Sequence, residues 1–221
     1  GAGDYLEQAR HILGEVGDRQ GEGLLLAHRG LLAHHRGADE AAREHSQQAL
    51  QIAQDLGDRS TQAYALTILG HALAGREHRS GQALAEAVAA YEQALALRRE
   101  LGQPNLALEP LAGLARVSLA QGDVASAQAR VQELLSHLES GTLDGTTEPF
   151  RVYLTCYRVL CASRDPRAPE VLTMARVRLQ EQAARIGDEE LRRSFLENVP
   201  AHREILNELR PPRSPVKALQ T

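Results

Sequence analysis

Lysine is nearly missing from this chain: among 221 residues Lys217 is the only one, and the other members of the Lys and Arg count are arginines. This excludes a Gly-rich phosphate loop ending in Gly-Lys-Ser/Thr and a buried Schiff-base lysine. Tryptophan is absent and aromatic residues make up 3% of the chain, so platforms for stacking single-stranded nucleic acid are scarce. The 29 acidic and 25 basic residues are interleaved and give a net charge of −4. We therefore expect no nucleic-acid partner.

Cysteine is also scarce, and long apolar runs are lacking. Cys156 and Cys161 lie five positions apart on a predicted helix, which turns their side chains about 140° from each other and prevents them from pairing. Without a metal-type cysteine spacing, we expect a reduced, cytoplasmic setting. Apolar runs are short, as at 24–27, whereas a bilayer span needs about 20 residues, so no membrane association is expected. No secretory leader is visible, and we expect 1–3 to be a cloning remnant on a piece of a longer protein.

A short segment recurs at a fixed distance. Residues 16–20, Val-Gly-Asp-Arg-Gln, return at 56–60 as Leu-Gly-Asp-Arg-Ser, and Gly30 and Gly70 are separated by the same 40 positions. Periods of roughly 35 to 45 residues are typical of arrays built from helix pairs, in which each pair buries its apolar face against the next. The sequence therefore predicts an all-α helical solenoid.

Small residues mark the places where the two helices of each pair should cross. Gly30 precedes Ala42 by 12 positions, and Ala115 precedes Ala127 by the same number. A glycine in a helix interior costs about 1 kcal/mol relative to alanine, but it lets a neighbouring backbone approach closely. We expect Ala87 to meet Gly70 in this way. The predicted packing positions are Gly30, Ala42, Ala49, Gly70, Ala87, Tyr91, Ala94, Ala115 and Ala127.

In the second unit the spacing from Gly70 to Ala87 grows to 17. The five extra residues are predicted to lie in the turn at 75–81. Two interpretations stay open for this insertion, a contact loop or neutral variation in length, because surface loops tolerate extra residues at little cost.

Small residues lie 12 apart, and the second of them comes four positions before an aromatic or apolar residue and seven before another alanine. This pattern resembles the tetratricopeptide repeat (TPR). The resemblance implies a right-handed TPR-like superhelix, an alpha-alpha solenoid of about four helix pairs with a C-terminal capping helix. Its predicted parts are a remnant helix of a preceding repeat at 1–17, repeats at about 18–57, 58–102, 103–141 and 142–187, a cap at 188–209, and a flexible Pro-rich tail at 210–221.

The chain departs from the family pattern in two ways. Leu26, Leu66 and Leu111 stand where the family often has tryptophan, and the usual closing proline is missing. Between the two helices of a pair, Asp39 and the segment 122–123 are predicted to supply the turn and the helix cap.

Three segments narrow the resemblance: 63–67, 152–158 and 192–200 are similar to the C-terminal TPR arrays of large bacterial signalling proteins. In those proteins a regulatory nucleotide-binding ATPase follows a nucleotide cyclase or a DNA-binding domain. The resemblance covers about residues 18–209. It implies a regulatory, interaction or sensor segment whose catalytic parts lie outside this chain and which needs no cofactor of its own.

In such repeats the first helix of each pair lines the concave face of the superhelix. Tyrosine and arginine are enriched in interface hot spots, and histidine forms directional hydrogen bonds. We therefore expect residues of these types on the concave face to contact a partner. The alternative interpretation is that they are ordinary solvated residues. Some family members bind terminal carboxylates with a lysine and asparagine clamp, which is absent here because Ala27 and Leu31 occupy the equivalent positions of the first unit. The candidate groove residues are His34, Tyr64, Thr67, His71, Glu109 and Arg116.

Metal and catalytic sites are not expected. Histidines cluster around one hairpin, at His28, His34, His35 and His45. His28 and His35 share a helix face while His34 points elsewhere, and no acid or cysteine is in phase with them. Serines lie at small packing positions, and the paired acids at 189–190 suit the dipole of a helix start. We therefore expect no enzyme activity within this chain.

The sequence leads to one favoured function and two alternatives. The favoured function is a non-catalytic interaction or scaffold module that binds a protein or peptide segment in its concave groove, from its own parent protein or from a separate partner. The first alternative is a module that senses a peptide or small effector and controls a linked ATPase. The second is self-association through the exposed repeat ends, because the apolar face of 5–16 would be left uncovered.

Overall fold

The structure is a computed structural model that describes residues 2–75, 80–140, 143 and 145–208. Residues 76–79 of the predicted insertion and the whole predicted C-terminal tail at 210–221 therefore lie outside the described residues. Within these ranges the chain forms helices and no strands, which confirms the predicted all-α class. The helices are α1 (Ala2–Val16), α2 (Arg19–His35), α3 (Asp39–Asp55), α4 (Arg59–Leu73), α5 (Gly81–Glu100), α6 (Pro104–Ala120), α7 (Val124–Ser140), α8 (Pro149–Ala162), α9 (Ala168–Ala184), α10 (Glu189–Glu197) and α11 (Pro200–Asn207).

The recurring Gly-Asp-Arg segment ends one helix and begins the next. Gly57 follows α3 with φ +67°, a left-handed conformation that favours glycine. The carboxylate of Asp58 then caps α4 by accepting the backbone N–H groups of Ser60 at 3.1 Å and Thr61 at 3.0 Å. Residues 17–18 play the same parts between α1 and α2. The 40-residue period is thus a repeated helix stop and helix start.

The predicted caps between paired helices divide into one that is wrong and one that forms. Ala38, not Asp39, is the N-cap residue of α3, and it makes no side-chain capping bond. The carboxylate of Asp39 is buried and turns instead toward His34, which lies 3.0 Å away. Asp123 does accept a hydrogen bond from the backbone N–H of Ser126 at 3.0 Å.

Helices that follow each other in the chain pack together, and every second helix from α2 to α8 also contacts the next one of its set. Each of α2, α4, α6 and α8 contacts the next member of this set, so the four helices make a continuous inner row. The helices α3, α5 and α7 each pack between the inner-row helices that precede and follow them. At the C-terminal end, α11 packs against both α8 and α9.

Glycines at the helix crossings allow close approach, although the nearest neighbour of Gly70 is not the predicted one. A Cβ atom on Gly30 would lie 2.7 Å from Oγ of Ser46 and 3.2 Å from the carbonyl oxygen of Ala42. A Cβ atom on Gly70 would lie 2.5 Å from the ring of Tyr91, which therefore occupies the space that Ala87 was expected to fill. The remaining predicted packing residues are buried; these are Ala42, Ala49, Ala87, Ala94, Ala115 and Ala127.

The ring of Tyr91 is the centre of this packing. It is fully buried on α5, between Gly70 of α4 and Gly113 of α6, and a Cβ atom on Gly113 would also lie 2.5 Å from it. Only glycine leaves room for the ring on both sides. The phenol group can therefore reach through the inner row to the side chains on its far face.

Candidate functional site

A cavity of about 560 Å³ opens on the inner row, where the C-terminal ends of α2 and α4 approach α6, α8 and α11. We call it the arginine cavity, because five arginines line it: Arg36, Arg116, Arg151, Arg158 and Arg203. Three acids also line it: Asp39, Glu148 and Glu204. A volume of this size falls within the range of about 300–1,000 Å³ that is usual for ligand pockets.

Glu148 lies at the centre of a set of polar contacts that joins three helices. Its carboxylate is 2.6 Å from Nη1 of Arg151, 3.3 Å from Nε2 of His35 and 3.4 Å from Nε2 of His71. Burial opposes its ionisation, but Arg151 and His35 outweigh burial and lower the pKa of Glu148. The ionised carboxylate therefore holds the start of α8 against α2 and α4.

The imidazole of His34 has a fixed protonation pattern. Nη2 of Arg151 donates to Nε2 of His34 at 2.8 Å, because a guanidinium can only donate. The other nitrogen, Nδ1, must then carry the hydrogen and donate it to Oδ1 of Asp39 at 3.0 Å. Burial and the nearby Arg151 lower the pKa of His34 to about 4. His34 is therefore a neutral link between Arg151 and Asp39 at pH 7.

Tyr91 connects the buried ring of His71 to Arg116. Its hydroxyl lies 2.7 Å from Nδ1 of His71 and accepts a hydrogen bond from Nη2 of Arg116 at 2.8 Å. The phenol hydrogen is thus donated to His71, whose Nε2–H faces Glu148. Burial, followed by Arg151 and Arg116, lowers the pKa of His71 and keeps this ring neutral.

Arg116 is held by only part of its guanidinium. Nη2 is bonded to Tyr91, whereas Nη1 is buried and has no hydrogen-bond partner within the described ranges. The neighbouring carboxylate of Glu148 is already paired with Arg151 and two histidines. Burial lowers the pKa of Arg116, yet an arginine keeps its charge at neutral pH. The cavity wall therefore holds a buried positive charge with an unused donor.

Glu109 lies behind the cavity and fastens α8 to α6. Its Oε1 accepts a hydrogen bond from the backbone N–H of Glu148, the N-cap residue of α8. Burial raises the pKa of Glu109 to about 7. Its side chain is thus engaged in joining two helices.

The predicted groove residues separate into two groups. His34 and Arg116 line the cavity, and His71 lies directly behind them. Thr67 is buried and donates to the carbonyl oxygen of Ala63 at 2.8 Å within its own helix. Tyr64 packs its ring against His28, with centroids 5.3 Å apart. Together with Glu109, these two lie outside the cavity lining.

Glu148, Arg151 and Arg203 belong to the cavity but were missed from the sequence. The only local signal is the Glu-Pro pair at 148–149, which is typical of a helix start, with an arginine one turn later. Nothing in the sequence relates these positions to α2, which is more than a hundred residues away.

The histidines around the first hairpin do not converge on one point. Nδ1 of His28 lies 2.8 Å from the carbonyl oxygen of Leu24 in its own helix, whereas His34 and His35 face the arginine cavity. Across the described positions, no group of three or more His, Cys, Asp or Glu side chains is placed to hold a metal ion. Cys156 is buried, and burial raises the pKa of its thiol to about 12, whereas Cys161 is exposed.

Comparison with protein-family models and with curated proteins finds no match to this chain. For the residues that have described positions, no helix combines the length and the apolar character needed to cross a bilayer. The function is therefore inferred from the helix arrangement and from the arginine cavity.

Proposed function

We propose that this chain is a non-catalytic interaction module, a TPR-like superhelix whose inner row binds an extended acidic protein segment. Two features support the superhelix: the alternation of inner helices α2, α4, α6 and α8 with outer helices α3, α5 and α7, and the glycines at their crossings. In a stacked array of helix pairs, the inner helices form one extended surface that is suited to a peptide chain.

The observation that carries the proposal is the charge of the arginine cavity. Five arginines line it against three acids. A cleft with an excess of one charge attracts partners of the opposite charge and excludes those of its own sign. An acidic segment fits this surface, although the whole chain carries a net charge of −4.

The resemblance to bacterial signalling proteins supplies a context for this activity. We propose that the chain is the regulatory part of a larger cytoplasmic protein, and that the bound segment belongs to another domain of that protein or to a separate partner. Neither a cofactor nor catalysis within the chain is needed for this function.

Selection from a random peptide display library tests the proposal without a known partner. We expect the enriched peptides to share acidic residues and to bind the chain in a fluorescence polarisation titration. The double variant Arg116→Gln/Arg203→Gln should weaken their binding by about tenfold or more, because paired charges contribute on this scale. Arg99→Gln is the matched control, since Arg99 is an exposed arginine paired with Glu133 outside the cavity lining.

Enrichment of basic peptides would contradict the proposal. Acidic peptides whose binding is unaffected by the double variant would also contradict it, provided that helical circular dichroism shows a folded protein.

A second candidate function, self-association, is favoured by the surface of α1. Tyr5, Ile12 and Val16 fall on one face of this helix and are 74%, 57% and 69% exposed. Exposed apolar stripes of this kind mark interaction surfaces. Sedimentation velocity over a wide range of protein concentration should then show a dimer that Ile12→Glu abolishes. A monomer at every concentration would exclude this function.

A further inference from the structure

We propose that the arginine cavity contains an oxyanion subsite for a phosphate monoester, with Arg116 as its buried ligand. This inference rests on the proposed function, because it names the chemical group that the cavity recognises. The phosphate can belong to a phosphorylated protein segment or to a free phosphorylated small molecule, and the subsite is the same in both cases.

Arg116 has a hydrogen-bond donor that the described part of the fold leaves without an acceptor. Nη1 of this residue is buried in the wall of the cavity without a hydrogen-bond partner among the described residues. Buried polar groups are normally satisfied, and a charged donor left unpaired is costly. Because Arg116 lines the cavity, an anion bound there with a small shift of the side chain supplies the missing acceptor.

The guanidinium of Arg116 is held in a fixed position by Tyr91. Nη2 of Arg116 is bonded to Oη of Tyr91 at 2.8 Å, and the ring of Tyr91 is enclosed by Gly70 and Gly113. The fold has therefore already ordered this arginine before any ligand arrives. A preorganised donor binds more tightly than one on a mobile surface side chain, because less side-chain entropy is lost on binding.

The arginine cavity carries an excess of positive charge. Two of the three acids in its wall pair with arginines, Glu148 with Arg151 and Glu204 with Arg158. Asp39 bonds to the neutral ring of His34 and keeps its negative charge. The five arginines therefore exceed the three acids by two positive charges, and neither Arg116 nor Arg203 belongs to these pairs. A phosphate monoester carries about −1.5 to −2 at pH 7 and offers three acceptor oxygens, so it balances two arginines better than one carboxylate does.

The geometry of arginine suits the same ligand. The planar guanidinium matches two oxygens of a phosphate group with parallel hydrogen bonds. The cavity volume of about 560 Å³ leaves space for an organic group beyond the phosphate.

The test compares two small anions of similar shape, phenyl phosphate and benzoate, by isothermal titration calorimetry at constant ionic strength. We expect saturable binding of phenyl phosphate and about tenfold weaker binding of benzoate, since the second anion has one charge and two oxygens. Arg116→Gln should weaken phenyl phosphate binding by about tenfold or more, and Arg99→Gln should leave it unchanged.

Several results would overturn the subsite. These are the absence of saturable phenyl phosphate binding, benzoate binding as tight as phenyl phosphate, or full affinity in a folded Arg116→Gln protein. If Arg116→Gln does not fold, Arg203→Gln decides the question, because Arg203 is exposed at the mouth of the cavity and its loss should not unfold α11. Unchanged affinity in Arg203→Gln would then overturn the subsite.

Two further ligands identify the source of the phosphate. A phosphoserine peptide that binds about tenfold more tightly than free O-phosphoserine indicates a protein segment, because additional peptide contacts then contribute. Equal affinities indicate a small molecule. Loss of phenyl phosphate binding with intact binding of unphosphorylated acidic peptides would remove the subsite and keep the proposed function, and the converse result would keep the subsite alone.

Discussion

Nη2 of Arg151 on α8 donates a hydrogen bond of 2.8 Å to Nε2 of His34 on α2, across 117 positions of the sequence. Between these helices, His71 of α4 lies 3.4 Å from the carboxylate of Glu148, and Arg116 of α6 bonds to the tyrosine that holds His71. Side chains of the first and last helices of the inner row therefore contact each other. Side chains that share one network are energetically coupled, so a change at one helix should affect the others.

The glycine at position 70 is required by the ring beside it. In Gly70→Ala the new Cβ atom would lie 2.5 Å from the ring of Tyr91, which cannot move because Gly113 closes its other side. Overpacking of this kind costs about 1–3 kcal/mol, and the better helix propensity of alanine returns about 1 kcal/mol. We expect a net loss of up to about 2 kcal/mol in the free energy of unfolding, measured by urea denaturation.

Gly14→Ala is the matched control for this prediction. Gly14 also lies within a helix, but a Cβ atom placed on it meets no other atom within 4 Å. Alanine should therefore stabilise the protein there, by up to about 1 kcal/mol. Equal stabilisation by both substitutions would show that the ring of Tyr91 is not confined as described.

The hydroxyl of Tyr91 has a separate role from its ring. Tyr91→Phe keeps the packing but leaves Nδ1 of His71 and Nη2 of Arg116 with only each other, at 3.3 Å. We expect a loss of about 1–2 kcal/mol in unfolding free energy, because buried polar groups would lose good partners. Tyr157→Phe is the control: its hydroxyl lies on the surface, 3.3 Å from Oε2 of Glu208 and beside Cys161, and its removal should cost less than about 0.5 kcal/mol.

The helix-interior glycines Gly30 and Gly70 show how much of the helix packing can be predicted from the sequence. The 40-residue period and the small residues predicted an all-α chain in which glycines lie at helix crossings, because a helix-interior glycine needs a compensating contact. The identity of that contact was not predictable. Ala87 was the expected neighbour of Gly70, but the side chain of Tyr91, one turn further along α5, turns into the same space.

Stability should depend on pH through Glu109. Burial raises the pKa of Glu109 from its ordinary value of 4.5 to about 7, so the folded state holds its proton more strongly than the unfolded state. This contribution is fully present below about pH 4.5 and is lost as the pH rises through about 7. Glu109→Gln should therefore gain stability relative to the wild type between about pH 5 and about pH 8, by up to about 3 kcal/mol.

Chemical denaturation of the wild type and of Glu109→Gln at about pH 5 and about pH 8 measures this effect. The glutamine retains a carbonyl oxygen that can accept the backbone N–H of Glu148, so the link to α8 is kept. If the difference in unfolding free energy between wild type and variant is the same at both pH values, Glu109 does not carry a raised pKa.

The two related caps should differ in strength. Asp58 accepts the backbone N–H groups of Ser60 and Thr61 and the hydroxyl of Thr61, whereas Asp18 accepts the backbone N–H of Gly21. Loss of a capping side chain costs about 0.5–2 kcal/mol, so Asp58→Ala should approach the upper value and Asp18→Ala the lower. Thermal unfolding of the two variants checks this order, and a larger loss in Asp18→Ala would contradict it.

The candidate site was less predictable than the fold. Helical register placed His34, His71 and Arg116 on the inner helices, because positions along one helix face follow from a period of 3.6 residues. The position of Arg151 opposite His34 depends on the accumulated rotation of three helix pairs, which no local pattern records. Asp39 illustrates a further limit, since its carboxylate had two competing uses, a helix cap or a partner for His34, and tertiary packing selected the second.

Binding of an acidic peptide to the inner helices can be measured by hydrogen exchange with mass spectrometry, with and without a peptide selected by display. We expect the peptide to slow exchange in the inner helices α2, α4, α6 and α8, most of all beside the arginine cavity. The outer helices α3, α5 and α7 should change little. Protection confined to the outer helices, or the same protection in the Arg116→Gln/Arg203→Gln protein as in the wild type, would contradict the account.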